Sequence, residues 1–286
     1  MELIWNVGFE FWDFIPKTLL IERLVRVRQK QLMKNRQKPK VAFFSFTCCE
    51  GCQLQVLSCE DELPVMLGLV DIVNFREAID EKRDDYEIAF IEGSISRQHE
   101  INEVKKIREK AKIVVALGAC SSTGGLNCLK NRFPMQEVQK LVYGDKAKKY
   151  KHLDTIPARP IDAVIPVDYY IHGCPITKSE FLDVLKSLLL GKKPEIPNYP
   201  VCVDCKLAGN ICVFEKGMTC VGPVTRAGCS AICVTYGCIC WGCRGLVDDP
   251  NIEAHEETLK RYGLTAEGVL SKFDLYGGWE RHKEKT

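Results

Sequence analysis

No run in the 286-residue sequence approaches the ~20 apolar residues needed to cross a bilayer, so no transmembrane helix is expected. Nor does one sign of charge dominate: 40 basic and 38 acidic side chains leave +2, which argues against a strongly basic nucleic-acid binder. The opening MELIWNVGFEFWDFIPK lacks a charged region ahead of an apolar stretch, and no twin-arginine pair stands near the start. The expected compartment is therefore the cytoplasm, where thiols stay reduced. A disordered or collagen-like chain is also excluded, because 46% of the residues are hydrophobic and 27% charged. The length suits one or two packed domains.

Cysteine is missing from the first 47 residues and abundant afterwards, with 16 in the chain. A disulfide framework belongs to short secreted chains that cannot bury a core, and this chain can. Nine of the sixteen (Cys202, Cys205, Cys212, Cys220, Cys229, Cys233, Cys238, Cys240 and Cys243) fall within 42 residues. Reduced thiols clustered in this way point to metal.

Residues 1–38 form a basic N-terminal extension. Residues 1–40 carry nine basic and four acidic side chains, a net +5. Trp5, Phe9, Phe11, Trp12 and Phe14 cluster ahead of Pro16, which is placed to open a helix, and Arg23 to Lys40 contains no acid. Docking on a partner subunit is the favoured reading of this segment, ahead of contact with an anionic membrane surface or a solvated arm.

Over residues 39–192, short apolar runs alternate with amphipathic segments. KVAFFSF, VDIVNF, YEIAFIEG and KIVVALGAC read as strands, and QLQVLSCEDELPVML, Arg97 to Lys110 and SEFLDVLKSLLLG as helices. This rhythm predicts an α/β fold with an open parallel sheet. KKPEIPNYP, with three prolines in nine residues, marks a boundary. Residues 199–246 then form a small cysteine-rich domain expected to be organised by metal more than by a core. Residues 247–286 are a helical tail, in which IEAHEETLKRYG and LTAEGVLSKF read as two helices, the second capped by Thr265.

Cys49 and Cys52 follow the first predicted strand, Cys120 the strand KIVVALGA, and Cys174 the segment VDYYIHG, which reads as a further strand end. In an open α/β sheet the carboxyl ends of the strands converge on one edge, where ligands bind. Four thiolates there suit a tetrahedral zinc or an iron–sulfur cluster. Gly51, Gly118, Gly124, Gly125 and Gly173 beside them allow backbone to approach a bulky inorganic core. The C-terminal spacing Cys202-x2-Cys205-x6-Cys212-x7-Cys220, followed by Cys229-x3-Cys233-x6-Cys240-x2-Cys243, supplies two further sets of four. Two zinc ribbons would give similar arithmetic. Residues 202–243 have only Lys206, Lys216 and Arg226 as cations, however, which is poor for a nucleic-acid ribbon. Three such sites in one chain read better as a relay of one-electron carriers.

SFTCCEGCQLQ, AFIEGSIS, VVALGACSSTGG, YIHGCP and the block from YPVCVDC to CICWGCRG together resemble the small subunit of a nickel–iron hydrogenase. The resemblance covers about residues 39–246 and is to the cytoplasmic sulfhydrogenase and F420-hydrogenase type, delta or gamma subunit. It implies a flavodoxin-like domain followed by a small iron–sulfur domain. Carried over, the proximal 4Fe-4S cluster would use Cys49, Cys52, Cys120 and Cys174, the medial Cys229, Cys233, Cys240 and Cys243, and the distal Cys202, Cys205, Cys212 and Cys220. Periplasmic relatives place a histidine where Cys202 stands and a proline near Cys233; thiolates at both positions imply three four-iron clusters. Implied partners are a large subunit holding the nickel–iron centre and an electron-acceptor subunit with flavin or iron–sulfur groups and NAD(P) or F420, but no nucleic acid. The alternatives are a complex I-like cluster subunit without hydrogen chemistry, which the tandem Cys48-Cys49 resembles, and a zinc-binding scaffold.

No catalytic residue is expected in this chain. Glu92 matches a family glutamate beside the proximal cluster, which implies a proton-path or backbone-positioning role, and it reads equally well as a polar loop residue. His172, two residues before Cys174, reads as a loop histidine bonded to backbone or water. Cys59 and Cys128 read as bystanders, Cys48 is unassigned, and Cys238 competes with Cys240 for the medial site.

Overall fold

The computed structural model describes residues 38–282. The N-terminal extension lies outside the described residues up to position 37. Five strands form one sheet: β1 (Lys40–Ser45), β2 (Asp71–Asn74), β3 (Ile88–Glu92), β4 (Ile113–Leu117) and β5 (Tyr169–Ile171). Their order is β2-β1-β3-β4-β5 and every pairing is parallel. This is the flavodoxin-like order, whose ligand crevice opens where β1 and β3 diverge at their carboxyl ends.

Alternation along the strands builds two cores. Val41, Phe43, Phe90, Val115 and Leu117 face helices α1 (Gly51–Leu57), α2 (Leu63–Leu69) and α7 (Lys178–Leu189). Ala42, Ala89, Ile91, Val114 and Ala116 face α3 (Gln98–Lys110), which presents Val104 and Ile107. Phe43 stacks on Phe75 and Phe90 with ring centroids 4.3 and 5.0 Å apart, and Phe181 of α7 meets Phe90 edge-on at 5.5 Å. Each buried ring contributes about 1.5–3 kcal/mol over exposure.

The stretch QLQVLSCEDELPVML, expected as one helix, is two. Pro64 has no N–H and cannot sit inside a helix, so it occupies the first turn of α2 after a break at residues 58–62. Helix α3 starts with Glu100 accepting the backbone N–H groups of Ser96 and Arg97 at 2.7 and 3.0 Å. The short helices α4 (Ala119–Thr123), α5 (Met135–Tyr143) and α6 (Lys146–Lys149) fill the connection between β4 and β5.

Beyond Pro200, α8 (Val201–Leu207) and α9 (Ile232–Thr235) are embedded in irregular chain around Val201, Val213, Val221, Ala231 and Ile239. That modest apolar core was not evident from periodicity. The tail folds as α10 (Ile252–Arg261) and α11 (Ala266–His282), and Thr265 Oγ1 accepts Gly268 N at 3.1 Å as expected of a cap. Helix α11 runs through Gly277 and Gly278 well past the predicted end at Phe273. Gly278 packs on Cys128, and this docking of the helix on the first domain offsets the weak helix propensity of the two glycines.

Candidate metal centres

The first set of cysteines stands at the carboxyl edge of the sheet. Cys49 precedes α1, Cys52 lies in its first turn, Cys120 opens α4 after β4, and Cys174 follows β5. The last two loops are tied by Gly118 N to Ile171 O and Ala119 N to Gly173 O, both 2.7 Å. Glu92, the last residue of β3, accepts the backbone N–H of Cys52 at 3.1 Å and of Gln53 at 3.0 Å. One buried carboxylate therefore fixes the turn that carries Cys52. Gly118 has φ +84°, and a Cβ there would overlap the Cys52 sulfur. A Cβ at Gly125 would come within 3.2 Å of Cys120 Sγ.

Burial first, then the Cys174 and Cys49 thiols, push the Cys120 thiol up to about 12. Burial likewise raises Cys52, reinforced by Glu92 and Cys120. These thiols crowd one neighbourhood and are poorly placed to ionise unaided, so a bound metal cation is the natural means of holding them as thiolates. Cys49 and Cys174 are exposed, which turns the set toward the molecular surface.

In the second set, the Cys202 thiol is pushed up to about 11 by burial and then by Cys220, Cys205 and Cys212. In the third, Cys243 is raised to about 11 by burial, with Cys229, Cys174 and Cys233 adding to it. Cys240 lies against the second set, where its backbone N–H reaches Cys220 Sγ at 3.4 Å. The Cys240 S–H hydrogen-bonds the same sulfur and draws the Cys220 thiol down. Cys243 touches the first set through Cys174, and Cys240 touches the second through Cys220. All sixteen cysteines are free of disulfides. Among the described residues, no three thiol, imidazole or carboxylate side chains converge at the spacing of a single bound ion.

Residues 49–188 match the family described as NADH ubiquinone oxidoreductase, 20 Kd subunit. The sulfhydrogenase 2 subunit delta of Pyrococcus furiosus is 34% identical, and the alignment covers 84% of this chain and all of that one. The chain belongs to the hydrogenase small-subunit family. A subunit of the F420-non-reducing hydrogenase vhu of Methanocaldococcus jannaschii is 33% identical over 73% of this chain and 82% of its own. A chain of the NAD+-reducing [NiFe]-hydrogenase, solved in the H2-reduced state, superposes with a TM-score of 0.50 and 26% identity, covering 56% of this chain and 96% of that one.

This hydrogenase small subunit is an electron-transfer component of an oxidoreductase. The expected α/β, flavodoxin-like sheet is present. No helix among the described residues is long and apolar enough to cross a membrane. The cysteine sets suit iron–sulfur groups on the chemistry of their donors: thiols in fours, glycines where a Cβ would fill the cradle, and the N–H groups of Gly222 and Cys240 aimed at Cys220 Sγ.

His172 is half-buried, and desolvation with the charges of Arg226 and Arg244 lowers its imidazole to about 3. The neutral ring stacks on Tyr170, and its Nδ1 lies 3.3 Å from Ser122 Oγ. Cys59 is fully buried in the core. Cys128 Sγ bonds Ala158 O at 3.2 Å. Cys48 contacts Phe46 O and lies close to Cys120, whereas Cys238 is exposed beside Cys233. Sequence reasoning missed Arg244 and Glu180, because neither stands in a ligand motif and each acts through contacts far along the chain.

Proposed function

We propose that this small subunit holds three 4Fe-4S clusters: proximal on Cys49, Cys52, Cys120 and Cys174, medial on Cys229, Cys233, Cys240 and Cys243, and distal on Cys202, Cys205, Cys212 and Cys220. When bound, such clusters supply one-electron carriers between a nickel–iron centre in a large subunit and a flavin- or nicotinamide-type acceptor subunit, reversibly and in the cytoplasm. The observation that supports the reading best is contiguity: Cys243 lies beside Cys174, and Cys240 beside Cys220. The protein's share of the work is structural. It crowds thiols at the sheet edge, excludes water with the two cores, and aims backbone N–H groups at sulfur. The exposed Cys49 and Cys174 fit a proximal site facing the large subunit.

The test is metal analysis of the intact complex purified without oxygen. About twelve irons per small subunit, together with nickel in the complex and dye reduction by H2, are expected. A colourless protein with stoichiometric zinc and no iron overturns the proposal. Iron without nickel would favour the complex I-like reading, which draws support from the family match over residues 49–188.

A further inference from the structure

An open apolar groove lies on the flank of the first domain. It has a volume of about 690 Å³ and runs between α1, α2, the edge strand β2 and the turn after that strand. Leu57, Leu63, Leu67, Ile72, Phe75 and Ile79 line it, and Leu67 leaves 47% of its surface open to solvent. An open apolar surface of this kind marks an interaction site. Lys38, Lys40 and Asp71 also line the groove, at the amino ends of β1 and β2 and so opposite the sheet edge that carries the first cysteine set.

The sequence ahead of Lys38 suits this groove in reach, polarity and charge. The described chain starts at Lys38, whose Nζ donates to Leu67 O at 2.7 Å, so the N-terminal extension is delivered at the groove itself. Leu20, Leu24 and Val27 recur at the i, i+4, i+7 spacing of one helical face, with Ile21 and Val25 beside them. Helix α2, of seven residues, is about 10 Å long, and the eleven residues from Val27 to Lys38 span up to about 36–40 Å, enough to turn back along it. Arg23 to Gln37 carries six basic side chains and no acid, whereas residues 60–85 around the groove hold nine acids against three bases. Tethering favours this segment over a separate partner, because a short linker holds it at a roughly millimolar effective concentration.

We propose that the groove beside α2 is the docking site of the protein's own N-terminal extension. The apolar residues between Leu20 and Val27 cover Leu63, Leu67 and Ile79, and the basic side chains pass over the acids of residues 60–62 and 77–81. The sequence pattern alone favoured a partner subunit for this segment, and the groove at its point of entry turns it onto its own chain. The extension thereby straps the flank of the first domain and leaves the cysteine edge free for partner subunits.

The experiment places the photoreactive amino acid p-benzoylphenylalanine in turn at positions 24 and 27 of the full-length chain, within the intact complex purified without oxygen, and maps the links by mass spectrometry after irradiation. Links should fall on residues 63–79 of the same chain, in a species with the mass of one small subunit. Leu67→Arg should cut their yield by about tenfold or more, since it removes a buried leucine and adds a like charge. Leu67→Ala, which adds no charge, should lower the yield in the same direction. Leu141→Arg, at an exposed position of α5, should leave it unchanged. Iron content and H2-dependent dye reduction should match the unmodified complex throughout, which verifies that the variants fold. Absence of links to residues 63–79, links to another subunit or between two small subunits, and loss of the links on adding vesicles of phosphatidylserine and phosphatidylcholine each overturn the proposal, as does a yield indifferent to both changes at Leu67.

Discussion

Arg244 and Glu180 form a buried fork across the junction between the cysteine-rich segment and the flavodoxin-like domain. Nη1 meets Oε2 and Nη2 meets Oε1, each at 2.7 Å, with the side chains 1% and 8% exposed. The same guanidinium donates to His172 O at 2.5 Å and to Ala227 O at 2.6 Å. Arg244 follows Cys243, and His172 lies two residues before Cys174, so one side chain holds the first and third sets together.

Removing one partner of this pair leaves a buried charge uncompensated. Glu180→Ala should cost about 3–5 kcal/mol in urea unfolding followed without oxygen. Arg76→Ala, which breaks exposed pairs with Glu50 and Glu77, should cost less than about 1 kcal/mol. Equal effects of the two changes would mean that the fork contributes no more than a surface pair.

Both oxygens of Glu92 are engaged by backbone N–H groups, which favours positioning of Cys52 over proton carriage. Glu92→Gln keeps one acceptor and Glu92→Ala keeps none, so iron content should fall modestly in the first and more in the second. H2-dependent dye reduction should fall in step with iron. Full iron in Glu92→Gln with activity lost tenfold or more would point to proton transfer instead.

The sheet and the edge where the first set gathers were legible because β1 to β4 are compact apolar runs and Cys49, Cys52 and Cys120 follow two of them, whereas the short β5, Tyr169–Ile171, is not such a run. KVAFFSF and KIVVALGAC announce β1 and β4, and parallel pairing brings Cys49 and Cys120 to the same edge. The break before Pro64 could have been read from proline alone. What the local pattern could not carry were long-range contacts: the Arg244 fork with Glu180, the return of α11 over Cys128, and the proximity of Cys240 to Cys220. The predicted tail helix also stopped at Phe273, short of Gly277 and Gly278, through which α11 continues.

Gly118 combines a positive φ with a Cβ position occupied by the Cys52 sulfur. Gly118→Ala should therefore force the β4 loop or the first turn of α1 to shift. The expected outcome is loss of about a third of the iron, with the remaining signals unperturbed. Gly144→Ala, also at positive φ but with open space around its Cβ, should strain only a surface turn and keep full iron. Indistinguishable iron contents would show that the cradle around Cys52 tolerates a methyl group.

Cys120 and Cys59 make the sharpest contrast between a ligand and a buried thiol. Cys120 stands among the Cys174, Cys49 and Glu92 side chains at the sheet edge, whereas Cys59 is fully buried, with its Sγ donating to Gln55 O at 3.6 Å. Cys120→Ser should remove the first site and abolish H2-linked electron flow, because the remaining sites are then cut off from the exposed face at Cys49 and Cys174. Cys59→Ser places a hydroxyl in an apolar core where the helix carbonyl can still accept a hydrogen bond, at a cost of about 1–3 kcal/mol. Its iron content and activity should stay at the unmodified level, and only its unfolding midpoint should drop. Iron assay, H2-dependent dye reduction and urea unfolding on the two variants separate these effects, and equal loss of iron from both would remove the distinction between ligand and core cysteine.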